Sequence, residues 1–381
     1  MKKKYVVLSI ITLVLLIAFV TSFNYFKTSN TYVENNSNNQ TKITKGISMN
    51  LEQTAGAGDY KQVTQSSWPT EGYKFNAELS KCENGGEISW DDTKKAVIVS
   101  GNLSDKCYVY FDIYQLTLAE YIKSQYTGTQ GDNALYYHNS TLTNGAGDNS
   151  YRYAGASDSV NNYICLGSDV ATCPDANLFR IIGVFGDKTK VIRAKSVGYQ
   201  QWHTSADNTW SSSSLNAYLN GTYLTSLGTI AEKIATTTWK VGGGSGSNIS
   251  ASVPKTAYKN EVGSSASTTI IDKKIGLMYV SDYGFAASPS AWTKTLGDYD
   301  GTDANGTSIK TINWMYMGYN EWTISRYSDY SNFAFDVSNY GFVYSYYVYN
   351  YLYGVRPSFN LESSVKYVSG SGSMSDPVRV N

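Results

Sequence analysis

The chain has 381 residues, 41% apolar and 16% charged, which excludes a disordered polypeptide and allows two ordinary domains behind a targeting segment. Lys and Arg number 31, as do Asp and Glu; setting aside Lys2, Lys3 and Lys4 leaves 28 basic groups against 31 acidic. No basic block follows the N-terminus, so a nucleic acid as partner is excluded for want of a positive field.

Lys2-Lys3-Lys4 precedes an uncharged apolar run from Tyr5 to Phe26. Residues 1–26 therefore read as a signal or transmembrane anchor, with the lysines held in the cytoplasm and the rest of the chain outside. The run approaches the roughly 20 apolar residues that span a bilayer. Val20 and Ser22 offer a loose cleavage site, so an anchored and a secreted product both stay open. The membrane is the expected partner through residues 5–26. No cysteine stands at the end of the run to carry a lipid, the first being Cys82.

Residues 27–72 are polar and rich in Asn, Gln and Thr, and are expected to form a stalk. Residues 73–114 turn to a period of two and read as a small β module. Glu87-Ile88-Ser89-Trp90 and Ala96-Val97-Ile98-Val99 flank an Asp91-Asp92-Thr93-Lys94 turn, and Cys107 to Phe111 supplies another strand. Residues 115–162 read as a connector with a short helix from Leu116 to Ile122. The main domain, 163–381, opens on a hairpin of Asn177 to Phe185 with Lys190 to Ala194. Two helices are expected next, Leu215 to Leu219 stopped by Gly221, then Tyr223 to Ile234 with one apolar face. Gly242 to Ser247 reads as a flexible loop, since no Gly-Lys-Ser/Thr closes it as a phosphate cradle would. Strands follow at Ile275 to Val280, Glu321 to Arg326, Asn332 to Val337, Gly341 to Ser345 and Gly354 to Leu361.

Four cysteines follow the apolar run, an even number that reads as disulfides in an exported chain. Local pairing, Cys82–Cys107 and Cys165–Cys173, keeps each bond within one domain. Zinc is the rival, but it needs close ligands, and His138 and His203 stand alone.

The order of motifs carries a resemblance. Leu178-Phe179-Arg180-Ile181-Ile182-Gly183 is followed by Trp210, Ser214-Leu215 and Tyr218-Leu219-Asn220-Gly221. Then come Glu321-Trp322-Thr323-Ile324-Ser325, Ala334-Phe335, Gly341 and Gly354-Val355-Arg356-Pro357-Ser358-Phe359-Asn360-Leu361. This series resembles a domain of unknown function from surface proteins of low-GC Gram-positive bacteria. Its closing strand is similar to the Gly-Phe-Arg ending of formylglycine-generating, sulfatase-modifying domains. The segment from Cys82 to Phe111 resembles a small module that often precedes it. The resemblance implies an α+β, C-type-lectin-like fold for 163–381, with two helices packed on antiparallel strands. It carries over no activity, because those enzymes use cysteines late in the domain and none follows Cys173. The Glu-Pro-Asn, Gln-Pro-Asp and Trp-Asn-Asp triplets of calcium-dependent lectins are absent as well.

No catalytic constellation is evident: no Gly-x-Ser-x-Gly elbow precedes a helix, and His203 reads as a surface histidine. No cofactor motif is present. Asp298, Asp300 and Asp303 loosely resemble a calcium loop, but the spacing is wrong and no closing Glu follows, so a plain loop is expected. Arg356 and Trp322 read as structural, the arginine pairing with a buried carboxylate or backbone carbonyls. The chain has 34 tyrosines, and six crowd one segment: Tyr344, Tyr346, Tyr347, Tyr349, Tyr351 and Tyr353. Tyrosine offers a broad ring and a hydroxyl seeking a partner, so this segment is the expected contact for a glycan or protein ligand. The sequence thus predicts a non-catalytic surface protein for adhesion or ligand binding. An exported enzyme acting on cell wall or glycan, and a structural envelope protein, are the alternatives.

Overall fold

The computed structural model describes residues 47–64, 67–69, 72–102 and 105–381. The expected membrane segment, 5–26, lies outside them. Among the described residues no helix is long and apolar enough to cross a membrane. The chain is mixed α and β, mostly strands, and divides after Gln115 into two compact units.

The first unit holds β1 (Ile47–Glu52), β2 (Tyr60–Val63), β3 (Tyr73–Cys82), β4 (Glu87–Asp91), β5 (Ala96–Ser100) and β6 (Cys107–Ile113). Four strands make a sheet in the order β2-β1-β6-β3, and β4 with β5 forms a separate hairpin. Asp91 closes the hairpin turn by accepting from the backbone N–H groups of Thr93 and Lys94, the local bonding that favours Asp in turns. Met49, Leu51, Val97, Val109 and Phe111 are the buried core. Cys82 stands directly opposite Cys107 on β3 and β6, and the two are bonded as expected.

The stalk expected over 27–72 is corrected by this sheet. From Ile47 the chain is a strand, and β1 pairs in parallel with β6, Met49 beside Val109 and Leu51 beside Phe111. Its partner lies far along the sequence, and no hairpin turn marks such a parallel pair, so local patterning misses it.

The second unit, Leu116–Asn381, also begins earlier than expected, so the connector over 115–162 is corrected too. Its strands are β7 (Leu135–Tyr137), β8 (Tyr151–Tyr153), β9 (Tyr163–Cys165), β10 (Leu178–Phe185), β11 (Lys188–Arg193), β12 (Tyr199–Gln200), β13 (Thr237–Lys240) and β14 (Ile270–Lys273). They continue with β15 (Ile275–Gly276), β16 (Glu321–Arg326), β17 (Phe333–Val337), β18 (Val343–Tyr347), β19 (Tyr353–Gly354), β20 (Ser358–Leu361), β21 (Tyr367–Ser369) and β22 (Val378–Val380). The larger sheet runs β15-β20-β11-β10-β9-β22-β21, with β8 on β10 and β7 on β8. At the bulge in β10, a side chain on Gly183 would collide with the Tyr151 carbonyl oxygen, so only glycine lets β8 approach. A second sheet runs β12-β19-β16-β17-β18, and β13 pairs with β14. Cys165 is bonded to Cys173, as expected.

Helix α1 (Leu118–Ser124) begins at a capping box: Thr117 accepts from the Glu120 N–H, and Glu120 accepts from the Thr117 N–H. Helix α2 (Ser214–Tyr218) does not stop at Gly221. It continues through a π turn, Leu219–Tyr223, into α3 (Leu224–Ser226). The long helix expected from Tyr223 ends instead at Gly228, which takes a left-handed φ of 55°. A 3-10 segment, Gly228–Lys233, follows, and Leu227, Ile230 and Ile234 still enter the core. The apolar face was readable; the helix was not. Two further helices were not expected, α4 (Pro254–Glu261) and α5 (Val280–Ala286). The latter replaces the end of the strand expected from Ile275. Gly242 to Ser247 is held in place: Arg326 Nε donates to the Gly242 carbonyl, and a side chain on Gly243 would strike the Arg326 carbonyl.

Candidate functional site

Strands β16 to β19 place the tyrosine segment, and the period of two divides it. On adjacent strands Asp336 stands opposite both Trp322 and Tyr344, and Ala334 stands opposite Tyr346. Residues directly opposite share a face of the sheet. Tyr344 and Tyr346 have ring centroids 5.3 Å apart, Tyr346 and Tyr351 4.9 Å, and Tyr351 and Tyr353 5.6 Å. Tyr353 packs on Trp322 at 4.6 Å. Trp322 is sealed from solvent and donates from Nε1 to the Gln200 carbonyl at 2.9 Å.

Tyr347 and Tyr349 belong elsewhere. Tyr347 is opposite Phe333, with ring centroids 4.3 Å apart, and Tyr349 joins it at 5.8 Å. Phe333 in turn meets Tyr330. The single contact surface expected from six tyrosines is therefore two surfaces: Tyr344, Tyr346, Tyr351 and Tyr353 on one, Tyr347 and Tyr349 on the other. Alternation along a strand sends neighbours to opposite faces. None of the six hydroxyls has a hydrogen-bond partner among the described residues. Tyr344 is 52% exposed and Tyr351 39%, whereas Tyr353 is only 6% exposed.

Beneath the first surface lies a group that sequence reasoning missed. Asp336 is fully buried, and neither carboxylate oxygen receives a hydrogen bond from another described residue. Burial pushes its carboxyl well above the usual carboxylate range, and no charged side chain opposes the shift. Burial and then Asp336 itself raise the Tyr346 and Tyr353 hydroxyls. The available signal was an acid inside the apolar run Phe333-Ala334-Phe335-Asp336-Val337.

Arg356 contrasts with it. Its Nε and Nη2 hold the two oxygens of Glu321 at 2.6 and 2.8 Å, and Nη2 also reaches the Met315 carbonyl at 2.7 Å. Burial raises the Glu321 carboxyl and the guanidinium draws it back down. The fork ties β16 to the link 355–357 between β19 and β20, which interrupts the strand expected from Gly354 to Leu361.

A second buried polar group joins α5 to the larger sheet. Asp282 accepts from Lys190 at 2.5 Å and lies 3.8 Å from Arg152, which holds Asp148 at 2.6 Å. Asp282 also caps α5 through the Tyr279 N–H, and Glu261 accepts from the N–H groups of Val280 and Ser281. These charges are spent on one another and on the helix end.

The weak metal candidates are not gathered into a site. Asp303 accepts from the N–H groups of Asn305 and Thr307, and Asp298 from Thr295. Among the described residues no three His, Cys, Asp or Glu side chains are placed to hold a metal ion.

With this geometry in hand, one comparison with known proteins is informative. A family model described only as a domain of unknown function, DUF6273, matches residues 186–363, from the β10–β11 turn to just past β20. The matched part holds the tyrosine surfaces, Asp336 and the Arg356–Glu321 pair. No curated protein and no solved structure matches the chain.

Proposed function

We propose that the protein is an exported, non-catalytic ligand-binding protein of the cell surface. It acts at the outer face of the membrane or, if the N-terminal segment is cut, as a secreted form. The ligand is a glycan or a protein, and the contact is the surface of Tyr344, Tyr346, Tyr351 and Tyr353. The observation that carries this reading is a cluster of rings, Tyr344 and Tyr351 exposed, Tyr346 half-buried and Tyr353 at its floor, whose hydroxyls have no partner among the described residues and which surrounds the buried acid Asp336. Rings that present an apolar face and a free hydroxyl suit adhesive contact. Two disulfides fit an oxidising exterior, as do the leading lysines and apolar run. The proposal includes a C-type-lectin-like class for the second unit, which rests on the order of its motifs up to Gly354-Val355-Arg356-Pro357.

An array of glycans and mucins tests it with three proteins: the wild type, a Tyr344→Ser/Tyr346→Ser variant, and a Tyr347→Ser/Tyr349→Ser variant. Loss of binding in the first variant and retention in the second is the expected outcome. Equal binding by all three, or none by any, removes this contact. Turnover of any polymer on the array would favour the exported enzyme instead.

A further inference from the structure

A cavity of about 360 Å³ lies in the second unit, away from the tyrosine surfaces. Its wall comes from α1, the turn before β7, β8, the segment before β9 and the C-terminal strand region. Tyr121, Gln125, Asn133, Tyr153, Asn161 and Ser371 line it, and no Asp, Glu, Lys, Arg or His side chain is part of the lining. These segments all lie outside residues 186–363, so the cavity is independent of the region the family model covers.

Three features show a built site. Tyr153 is only 5% exposed, yet its hydroxyl has no hydrogen-bond partner among the described residues. A hydroxyl on a cavity wall without a protein partner is a donor and acceptor open to a ligand. Tyr121 is held flat against Tyr367, with ring centroids 3.6 Å apart and planes 8° apart, so one ring of the wall is a fixed platform. Asn133 and Ala134, at φ of 55° and 56°, are consecutive left-handed residues that are not glycine. Such strain persists only where the surroundings enforce it. Here Asn133 Nδ2 donates to the Gln125 carbonyl at 2.8 Å, and the Ala134 carbonyl accepts from Ala154 at 3.0 Å.

We propose that this cavity binds an uncharged saccharide residue, a hexose or an N-acetylhexosamine. Amides and hydroxyls supply both donors and acceptors, which matches a ligand made of hydroxyls and an amide. Tyrosine rings supply apolar faces for the C–H face of the sugar. A charged ligand would enter an uncharged wall without a counter-charge, at a desolvation cost. The one carboxylate acting on Tyr121 from outside the wall, Asp376, already accepts from the Ser371 N–H. The volume stands at the lower end of small-molecule sites, about 300–1,000 Å³, which suits one or two sugar rings.

Saturation-transfer NMR on the full chain tests this, using glucose, galactose and N-acetylglucosamine, with glucosamine and N-acetylneuraminic acid as charged comparators. At least one neutral sugar is expected to receive transfer and to saturate in the millimolar range. Tyr153→Phe, which removes one hydroxyl and no ring, should weaken it about 5–10-fold, the worth of one hydrogen bond. Asn161→Asp, on an exposed side chain, should weaken the neutral sugars and improve glucosamine. Tyr344→Ser/Tyr346→Ser should leave all of this unchanged, which separates failure here from failure of the tyrosine surface. No transfer to any neutral sugar, stronger transfer to the charged pair, or no effect from both cavity variants would overturn the proposal.

Discussion

Glu321 and Asp336 sit on adjacent strands of one sheet, and both are sealed from water at 2% and 0% exposure. Glu321 meets a guanidinium that holds both its oxygens, while Asp336 stands opposite Trp322 and Tyr344 and receives no hydrogen bond from another described residue. The first carboxylate is part of the frame. The second is held in place by the frame and remains unsatisfied, which is the condition of a group that awaits a ligand or keeps its proton. Burial alone therefore says little about a carboxylate; its partners decide.

Experiments that remove one partner at a time break or sharpen this contrast. Arg356→Met should have the largest effect, because it leaves Glu321 buried and unpaired. A loss of about 3–5 kcal/mol in denaturant unfolding is expected. A loss below about 1 kcal/mol would mean that the pair carries no buried charge.

Asp336→Asn should act in the opposite direction, with a gain of about 1–3 kcal/mol at pH 7. The sign follows from the raised carboxyl of the folded state. Below the unfolded value near 4, both states hold the proton and the acid costs nothing extra. As pH rises from there toward the raised folded value, the unfolded chain releases its proton first and stability is lost. The advantage of the Asn variant should thus be small at pH 3.5 and grow toward neutrality. An advantage independent of pH would show that Asp336 does not titrate in this way.

Tyr344→Ser/Tyr346→Ser should change stability less, by about 0.5 kcal/mol at the exposed Tyr344, while abolishing ligand binding. Tyr153→Phe should shift the unfolding temperature least of all, since the ring and its packing stay. Its effect belongs to saccharide affinity alone.

Much of this architecture could be read along the chain. The short helix expected from Leu116 to Ile122 is present as Leu118–Ser124, because a helical turn and its cap involve only residues a few positions apart. The Glu87–Asp91 and Ala96–Ser100 hairpin follows from alternation about an Asp-rich turn. The two disulfides follow from an even number of cysteines with local partners. The density of tyrosine between Tyr344 and Tyr353 was equally plain, but its division was not. Which ring faces which side depends on where β18 begins and on its register against β17, and both are properties of the paired strands.

Residues within a turn or two of one another interact whatever the rest of the molecule does, so caps, turns and close cysteines are specified locally. The parallel pairing of Ile47–Glu52 with Cys107–Ile113 is different, and so is the meeting of Tyr121 with Ser371 around one cavity. These contacts require long loops to close, and the entropy of closure is recovered only by a core assembled from the whole unit. That no other described residue bonds Asp336 is set the same way, by which strands come to lie beside it.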